Sequence, residues 1–468
     1  MRPFDAWTVP EVVADRLSAD HTVADDGTVA YPTVSPDAMQ ELCASLRASR
    51  DALLSRPVCE LAACLGAVGA RFGSSGDPLR DEALSLLPGT AGLSPPMAEL
   101  VLDGMARDWS ESRLQALLDA EFDDPRVLDG FRTGARGTSR ALGPPLTVHI
   151  CAGTVPGVAV TSLIRALLVK SAVLLKPGLG DVVLPNLFLR GLRESDPEIA
   201  ASAGVLYWPG RGGDEATAIT ATALAEADAV IVYGGDDTIR AVRHSTPAST
   251  RMVVYHHRLS LGLVGGDALA TEETARSTAA AVARAVGTFD QRGCVSPHAV
   301  YVEQGGVISP RGWAGLLADA LRDLELAVPS GGLTPGEASA IHQVRGEVEL
   351  RVAAGEDVAV HAGDEAPWTV IYESEPGFRP SCLNRVVRVV SVSKLMDVIP
   401  LLATVRRHLQ TVAVAGAGVA EAELREALAR VGALRITSFE HAPWPPPWWH
   451  HDGMGPLTAL VRWVDAEG

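Results

Sequence analysis

The chain of 468 residues is long enough for two or three domains, each with its own core. An apolar content of 47% against 21% charged residues excludes a disordered chain and fits an ordinary soluble globular protein. A net charge of −17 excludes nucleic acid and anionic membranes as general partners, while leaving room for a local basic groove.

The opening MRPFDAWTVPEVVADRL places acids ahead of any apolar run, so it reads as neither a signal nor a transit peptide. Behind Ser35-Pro36, the residues Met39, Leu42, Leu46, Leu53 and Leu54 recur at helical spacing. Further helices are expected over Val58 to Arg71, Met97 to Trp109 and Glu111 to Glu121, with breaks at Ser75-Gly76-Asp77-Pro78 and Pro88-Gly89. Residues 1–140 therefore read as a helical N-terminal region packed over a sheet. Short β-rich runs then alternate with helices. Strands are expected at Leu146 to Ile150, Ala172 to Leu175, Val205 to Tyr207, Ala229 to Val232 and Met252 to Tyr255. The intervening helices are Val158 to Val169, Val182 to Glu194 (capped by Asp181), Glu215 to Ala225 and Asp237 to Arg243. This alternation means βαβ units and a parallel sheet, with ligands at the carboxyl ends of its strands.

A second α/β unit follows Leu263-Val264-Gly265-Gly266. A helix over Glu272 to Val286 leads into Phe289-Asp-Gln-Arg-Gly-Cys-Val-Ser-Pro-His298. Next come a strand at Ala299 to Glu303, a helix at Trp313 to Leu326, strands near Val348 to Val352 and Thr369 to Tyr372, and a helix over Lys394 to Leu409. Pro443-Trp-Pro-Pro-Pro-Trp-Trp449 reads as a stiff connector, and Leu457 to Val464 as a final strand whose edge can pair with another subunit. The longest uncharged apolar run, Cys151 to Ile164, contains Gly and Pro and is too short to span a bilayer. The cysteines Cys43, Cys59, Cys64, Cys151, Cys294 and Cys382 show neither metal spacing nor a disulfide framework, which fits a reducing cytoplasm.

Cys294 is the candidate nucleophile. A cysteine keeps a thiolate fraction at an ordinary pKa, and the preceding Gly293 lets a carbonyl approach the backbone, where the Cys294 amide can face a developing oxyanion. A small buried hydrophobe is the alternative role of a lone cysteine. Lys176-Pro177-Gly178, at a strand end, can reach a ribose or a phosphate, or can be merely solvated. Tyr233-Gly234-Gly235-Asp236-Asp237-Thr238 turns a strand into a helix whose N-terminus can face a bound cofactor, or is simply a tight turn. Gly416-Ala-Gly418 has Glu421 in place of the third glycine of a dinucleotide fingerprint and reads as a turn. No serine-hydrolase elbow or P-loop is present. His441, His450, His451 and Asp452 match no common metal spacing, so no metal is expected, and His450-His-Asp-Gly453 reads as a packed turn.

The run Val148-His-Ile-Cys-Ala-Gly-Thr-Val-Pro-Gly157, the Lys176-Pro177 pair, Ala227 to Gly235, Gly293-Cys294, Leu409-Gln-Thr411 and His450 to Gly453 resemble the aldehyde dehydrogenase superfamily. More narrowly, they resemble its acyl-CoA reductase branch, typified by the fatty acid reductase of bacterial bioluminescence. The resemblance implies an α/β, aldehyde dehydrogenase-like fold. Residues 141–263 become a Rossmann-like cofactor domain, 264–435 the catalytic domain with Cys294, and 436–468 a C-terminal segment. It makes Lys176 the ribose contact, with Pro177 and Gly178 beside it, and Gly234, Gly235 and Thr238 the turn beside the nicotinamide. It also implies a homo-oligomer.

Two departures bear on chemistry. Where hydrolytic relatives carry a Glu in a Glu-Leu-Gly-Gly run, this chain reads Ser260-Leu261-Gly262-Leu263, so the water-activating carboxylate is missing and the thioester is expected to await hydride. Thr154 stands where an oxyanion-donating asparagine is usual, and its shorter hydroxyl can donate one bond. Leu179 replaces the Glu of NAD-preferring relatives, so a 2′-phosphate is not repelled and Lys176 with Arg211 can pair with it. The expected cofactor is NADPH, with NADH as the alternative. The expected reaction is reduction of an acyl-CoA, or of an acyl group on a phosphopantetheine-linked carrier protein, to an aldehyde. An aldehyde-oxidising dehydrogenase using Asp267 or Glu272 as base, and a noncatalytic partner subunit, are the competing readings.

Overall fold

A computed structural model describes residues 3–15, 17, 19–23, 29–135, 137–210, 213–363 and 367–467. Two compact units emerge, the first from Met1–Ala91, Ala98–His256 and Pro446–Gly468, the second from Gly92–Met97 and His257–Pro445.

The first unit is built on a six-stranded sheet in the order Arg251–His256, Ala229–Gly234, Leu146–Ile150, Ala172–Lys176, Ala203–Leu206, Trp7–Thr8. Five strands are parallel, and Trp7–Thr8 closes one edge antiparallel to Ala203–Leu206. Alternation along Leu146–Ile150 gives each face its partners. Leu146, Val148 and Ile150 pack with Met39, Leu42, Leu46 and Leu224, while His149 points the other way and bonds Ser162 of the Val158–Leu168 helix. The helices expected between residues 36 and 121 are present. Short strands at Phe4–Asp5, His21–Val23, Val29–Tyr31, Arg132–Gly134 and Gly137–Leu142 accompany them, so residues 1–140 are not purely helical.

The second unit carries a seven-stranded sheet in the order Val358–His361, Thr369–Glu373, Val386–Val392, Pro297–Glu303, Leu259–Val264, Leu409–Ala415, Arg435–Thr437. Only Val358–His361 is antiparallel to its neighbour. One face packs on the helices Glu272–Gly287 and Pro310–Ala327 through Val282, Val286, Trp313 and Leu317. The other face packs on Val398, Leu402, Leu424 and Leu428.

Four local expectations are corrected. Val348 to Val352 is helix, within Pro335–Ala353, because Thr334 and Glu337 form a reciprocal capping box and Val348 is buried. Pro88 does not break its helix, which runs Pro78–Ala91 with Leu79, Ala83 and Leu87 buried ahead of it. Lys394 to Leu409 is not one helix: only Val398–Leu402 is helical, and Leu409 starts a buried strand. The last strand is Arg462–Ala466, paired with Gly137–Leu142. Leu457 and Thr458 are wound into a turn because both amides donate to the Glu121 carboxylate.

Candidate active site

In the first unit, two loops leave neighbouring parallel strands and pack backbone to backbone. The Cys151 amide donates to the Lys176 carbonyl at 2.9 Å, and a Cβ on Gly153 or Gly178 would collide with the backbone of the facing loop. These glycines permit the approach that places Thr154 and Lys176 on adjoining turns. Thr154 is exposed, and its hydroxyl has no hydrogen-bond partner among the described residues. Gly157, at φ +96°, then starts the Val158–Leu168 helix. Asp181, expected to cap the following helix, instead accepts from the amides of Gly157 (2.7 Å) and Ala159 (2.8 Å). It therefore fixes the start of the helix behind Thr154.

Lys176 is only 8% exposed, with Nζ 5.5 Å from the Tyr207 ring and 5.3 Å from the Trp208 ring. Burial lowers its pKa to about 8, partly opposed by Cys151. It forms no ion pair among the described residues, so a ribose hydroxyl or a phosphate would complete its surroundings. Pro177 and Gly178 carry the chain away from it. At the third turn, Thr238 packs against the Cα of Gly234, where a Cβ would lie 3.0 Å away, and Gly235 is the N-cap of Asp236–Ser245. Asp236 and Asp237 lie in that first turn, and Asp237 pairs with Arg240 at 2.8 Å. Arg211 lies outside the described residues.

In the second unit, the Glu272–Gly287 helix ends in three consecutive left-handed residues, Phe289 (φ 58°), Asp290 (φ 48°) and Gln291 (φ 64°). A second such triplet, Leu383, Asn384 and Arg385, lies against the first. The buried Arg385 guanidinium contacts Asp290 Oδ1 at 2.9 Å (Nε) and 2.8 Å (Nη2). Asp290 Oδ2 accepts from the Gly331 amide at 3.0 Å. The Gln291 side-chain amide bonds the carbonyls of Pro297 (2.8 Å) and Val386 (2.9 Å). The three left-handed residues just before Cys294 are thus pinned by charge and hydrogen bonds, partly from the second triplet.

Cys294 is half-buried, three residues before the strand Pro297–Glu303. Its carbonyl accepts from Ser260 Oγ at 2.6 Å, and the Thr411 amide donates to the same oxygen atom of Ser260 at 3.0 Å. Ser260 stands at a register shift in its strand, which aims the hydroxyl between the two partners. Thr411 is paired in register with Arg435, whose guanidinium is anchored on the carbonyls of Ala442 (2.9 Å) and His441 (2.6 Å). Burial lowers the Arg435 pKa to about 10, while the proximity of Cys294 favours its charged form. Ser260, Arg385 and Arg435 reach the cysteine turn from distant segments, Asp290 lies within its own stretch, and of the distant three only Ser260 was marked by a sequence signal, the missing carboxylate.

The histidines fall into place by burial. His298 accepts from the Ser381 amide at 3.3 Å, and desolvation brings its pKa to about 4, so it is a neutral strand residue. His451 is sandwiched between Trp449 (4.6 Å) and Tyr255 (4.5 Å), and Tyr255 stacks in turn on Tyr233 at 4.4 Å. Asp452 accepts from the His256 amide at 2.9 Å, so His450 to Gly453 is a bonded and packed turn.

Residues 58–463 match the family model described as acyl-CoA reductase (LuxC). The chain belongs to that family. Relatives from this family include the long-chain acyl-protein thioester reductase of Aliivibrio fischeri, 28% identical over 404 residues, covering 86% of this chain and 80% of the relative. The counterpart from Vibrio harveyi is 26% identical over 381 residues, covering 80% and 76%. Among solved structures, an oxidoreductase from Marinobacter aquaeolei has a TM-score of 0.73 at 13% identity, covering 97% of this chain and 95% of that one. An NAD-dependent benzaldehyde dehydrogenase from Corynebacterium glutamicum has a TM-score of 0.70 at 14% identity, covering 97% and 95%. The family fold is thus that of the aldehyde dehydrogenases, and the reaction class is reduction of an acyl thioester to an aldehyde.

Proposed function

We propose that this reductase uses Cys294 to take an acyl group from coenzyme A or a carrier protein and NADPH to reduce it, in the cytoplasm, where its six free cysteines remain reduced. The observation that carries the reading is the bond from Ser260 to the Cys294 carbonyl. The position where a hydrolytic relative needs a carboxylate holds a small hydroxyl already committed to two backbone partners. Nothing there activates water. The other carboxylates available for that task are remote. Asp267 lies by Gly418 at the carboxyl end of the sheet, away from the amino end where Cys294 sits. Glu272 pairs with Arg276 at the start of a 16-residue helix, roughly 24 Å from its far end.

The Cys294 thiolate attacks the thioester carbonyl, a carbon–sulfur bond forms to the enzyme, and the bond to the carrier breaks as its thiol leaves. Arg435 favours the thiolate by charge. The uncommitted hydroxyl of Thr154 is the proposed donor to the oxyanion. Lys176, with Pro177 and Gly178, holds the ribose or phosphate end of the cofactor, and the Gly234-Gly235 turn with Thr238 leaves room for the nicotinamide. Leu179, carrying no charge, tolerates a 2′-phosphate, which favours NADPH over NADH. When bound there, NADPH would supply the hydride that reduces the thioacyl group on Cys294 to the level of the aldehyde. The names of the curated relatives support a long acyl chain carried on protein.

The test mixes protein, NADPH and a panel of acyl-CoAs, follows NADPH consumption and weighs the acylated protein by mass spectrometry. An acyl adduct on Cys294 is expected, with both adduct and turnover lost in Cys294→Ala. Turnover that survives in Cys294→Ala would overturn the assignment.

A further inference from the structure

The chain carries 57 acidic against 40 basic residues, yet its second unit has an edge almost free of acids. The strands Pro297–Glu303, Leu259–Val264, Leu409–Ala415 and Arg435–Thr437 are parallel neighbours, so their amino ends share that edge. The segments leading into them, residues 257–263, 291–302, 398–420 and 427–439, contain no carboxylate. Besides the buried, neutral His298, they carry His257, Arg258, Arg292, Arg406, Arg407, His408, Arg430 and Arg435. Arg430 is paired with Glu426 at 2.8 Å, and Arg292 lies 3.8 Å from Glu337. Glu440, the next acid along the chain, is bonded to Ser438 and lies near Arg284 and His441. Arg406 and Arg407 are exposed, and neither forms an ion pair among the described residues. Arg258 donates to the Arg407 carbonyl at 2.7 Å, which holds the cationic loop against the start of its neighbouring strand.

We infer that this edge docks an acidic carrier protein that presents the acyl thioester to Cys294. The inference rests on the reductase reading and names the partner. Cys294 belongs to the same edge, since it lies three residues before the strand that starts at Pro297, and its carbonyl is bonded to Ser260 at the start of the neighbouring strand. Four adjacent strand ends span roughly 14 Å at a spacing of about 4.8 Å. A small phosphate is gripped by convergent, partly buried donors, whereas Arg406 and Arg407 stand exposed on one loop of this edge, an arrangement that steers and orients a protein surface. A net charge of −17 repels an acidic partner elsewhere, so this edge is both the attractive face and the one that selects orientation.

The test compares three tetradecanoyl thioesters: on an acidic phosphopantetheine carrier protein, on coenzyme A, and on N-acetylcysteamine, which has neither protein nor phosphate. With Arg406→Glu/Arg407→Glu, kcat/KM for the carrier-protein substrate should fall about ten- to a hundredfold at low salt, mainly through KM, and the deficit should shrink as salt is raised. Turnover of the N-acetylcysteamine thioester should be unchanged. The milder Arg406→Gln/Arg407→Gln pair should give an intermediate loss, which separates charge from damage to the fold. An unchanged carrier-protein rate, or an equal loss on acyl-CoA, overturns the inference, the second outcome assigning the edge to the phosphates of coenzyme A. If the unmodified protein reduces none of the three, the reductase reading itself falls, and the docking with it.

Discussion

Lys176 makes the clearest pH prediction at the scale of the residue. Its pKa of about 8, lowered by burial, means that the ammonium is charged at pH 7 and begins to lose its proton within the range of ordinary assays. An anionic cofactor held by that charge should bind progressively more weakly above pH 8, by up to tenfold per unit, because the neutral amine offers no charge-assisted bond. Fluorescence titration with NADPH from pH 6.5 to 9.5 reads this directly. In Lys176→Met the slope should vanish and affinity should be low throughout, so a slope that persists in the variant rules out Lys176. Ser260 makes a second prediction. Ser260→Ala strips the buried Thr411 amide of its acceptor and the Cys294 carbonyl of its donor, which should cost about 1–3 kcal/mol in urea unfolding. It should also slow alkylation of Cys294 by iodoacetamide, and unaltered stability together with unaltered alkylation would dismiss the bridge. The sequence singles out Cys294, Lys176 and the Gly234-Gly235 turn as candidates because each sits in a contiguous motif. The partners that hold the cysteine are not legible in this way: Ser260 lies 34 residues from Cys294, and Arg385 lies 95 residues from Asp290.

Among the elements, the paired left-handed triplets decide how firmly the cysteine turn is held. Left-handed backbone costs a non-glycine residue roughly 1–2 kcal/mol, so Phe289, Asp290 and Gln291 together carry about 3–6 kcal/mol of strain. That strain persists only where the surroundings over-determine it, and here Arg385, Gly331, Pro297 and Val386 do so. Asp290→Ala leaves Arg385 buried without this carboxylate, although Glu325 still reaches it, and should lower stability by about 3–5 kcal/mol. Asp290→Asn keeps a hydrogen-bond acceptor and should lose less. Chemical denaturation of both variants tests the ordering, and equal losses would show that the charge is irrelevant. The same scale explains which elements could be read in advance. Strands and helices with clear period, such as Ala172–Lys176 and Glu272–Gly287, fell where the pattern placed them. Val348 to Val352 misled because one buried valine amid charged residues looks like a short strand until the capping box at Thr334, some fourteen residues earlier, is counted.

For the whole molecule, the chain builds most of the first unit, leaves it to make the second, and returns at Pro446. The return is structural. Leu457, Leu460 and Val461 are buried, His451 fills the stack between Trp449 and Tyr255, Arg251 bonds the Val461 carbonyl, and Arg462–Ala466 completes a three-stranded sheet with Gly137–Leu142 and Arg132–Gly134. Burying three aliphatic side chains contributes about 5–9 kcal/mol at roughly 1.5–3 kcal/mol each. That is comparable with the whole stability of a typical domain, about 5–15 kcal/mol. A chain ending at Pro445 should therefore keep the second unit, including the Ser260 bond to Cys294 and the strand Arg435–Thr437, while the first unit unfolds or melts far below its normal temperature. Hydrogen exchange resolved by segment makes the distinction. Amides of Leu146–Ile150 and Ala172–Lys176 should lose protection while those of Pro297–Glu303 and Val386–Val392 retain it. Uniform loss across both sheets would mean that the two units fold as one, and full retention in both would mean that the returning segment contributes nothing to the six-stranded sheet.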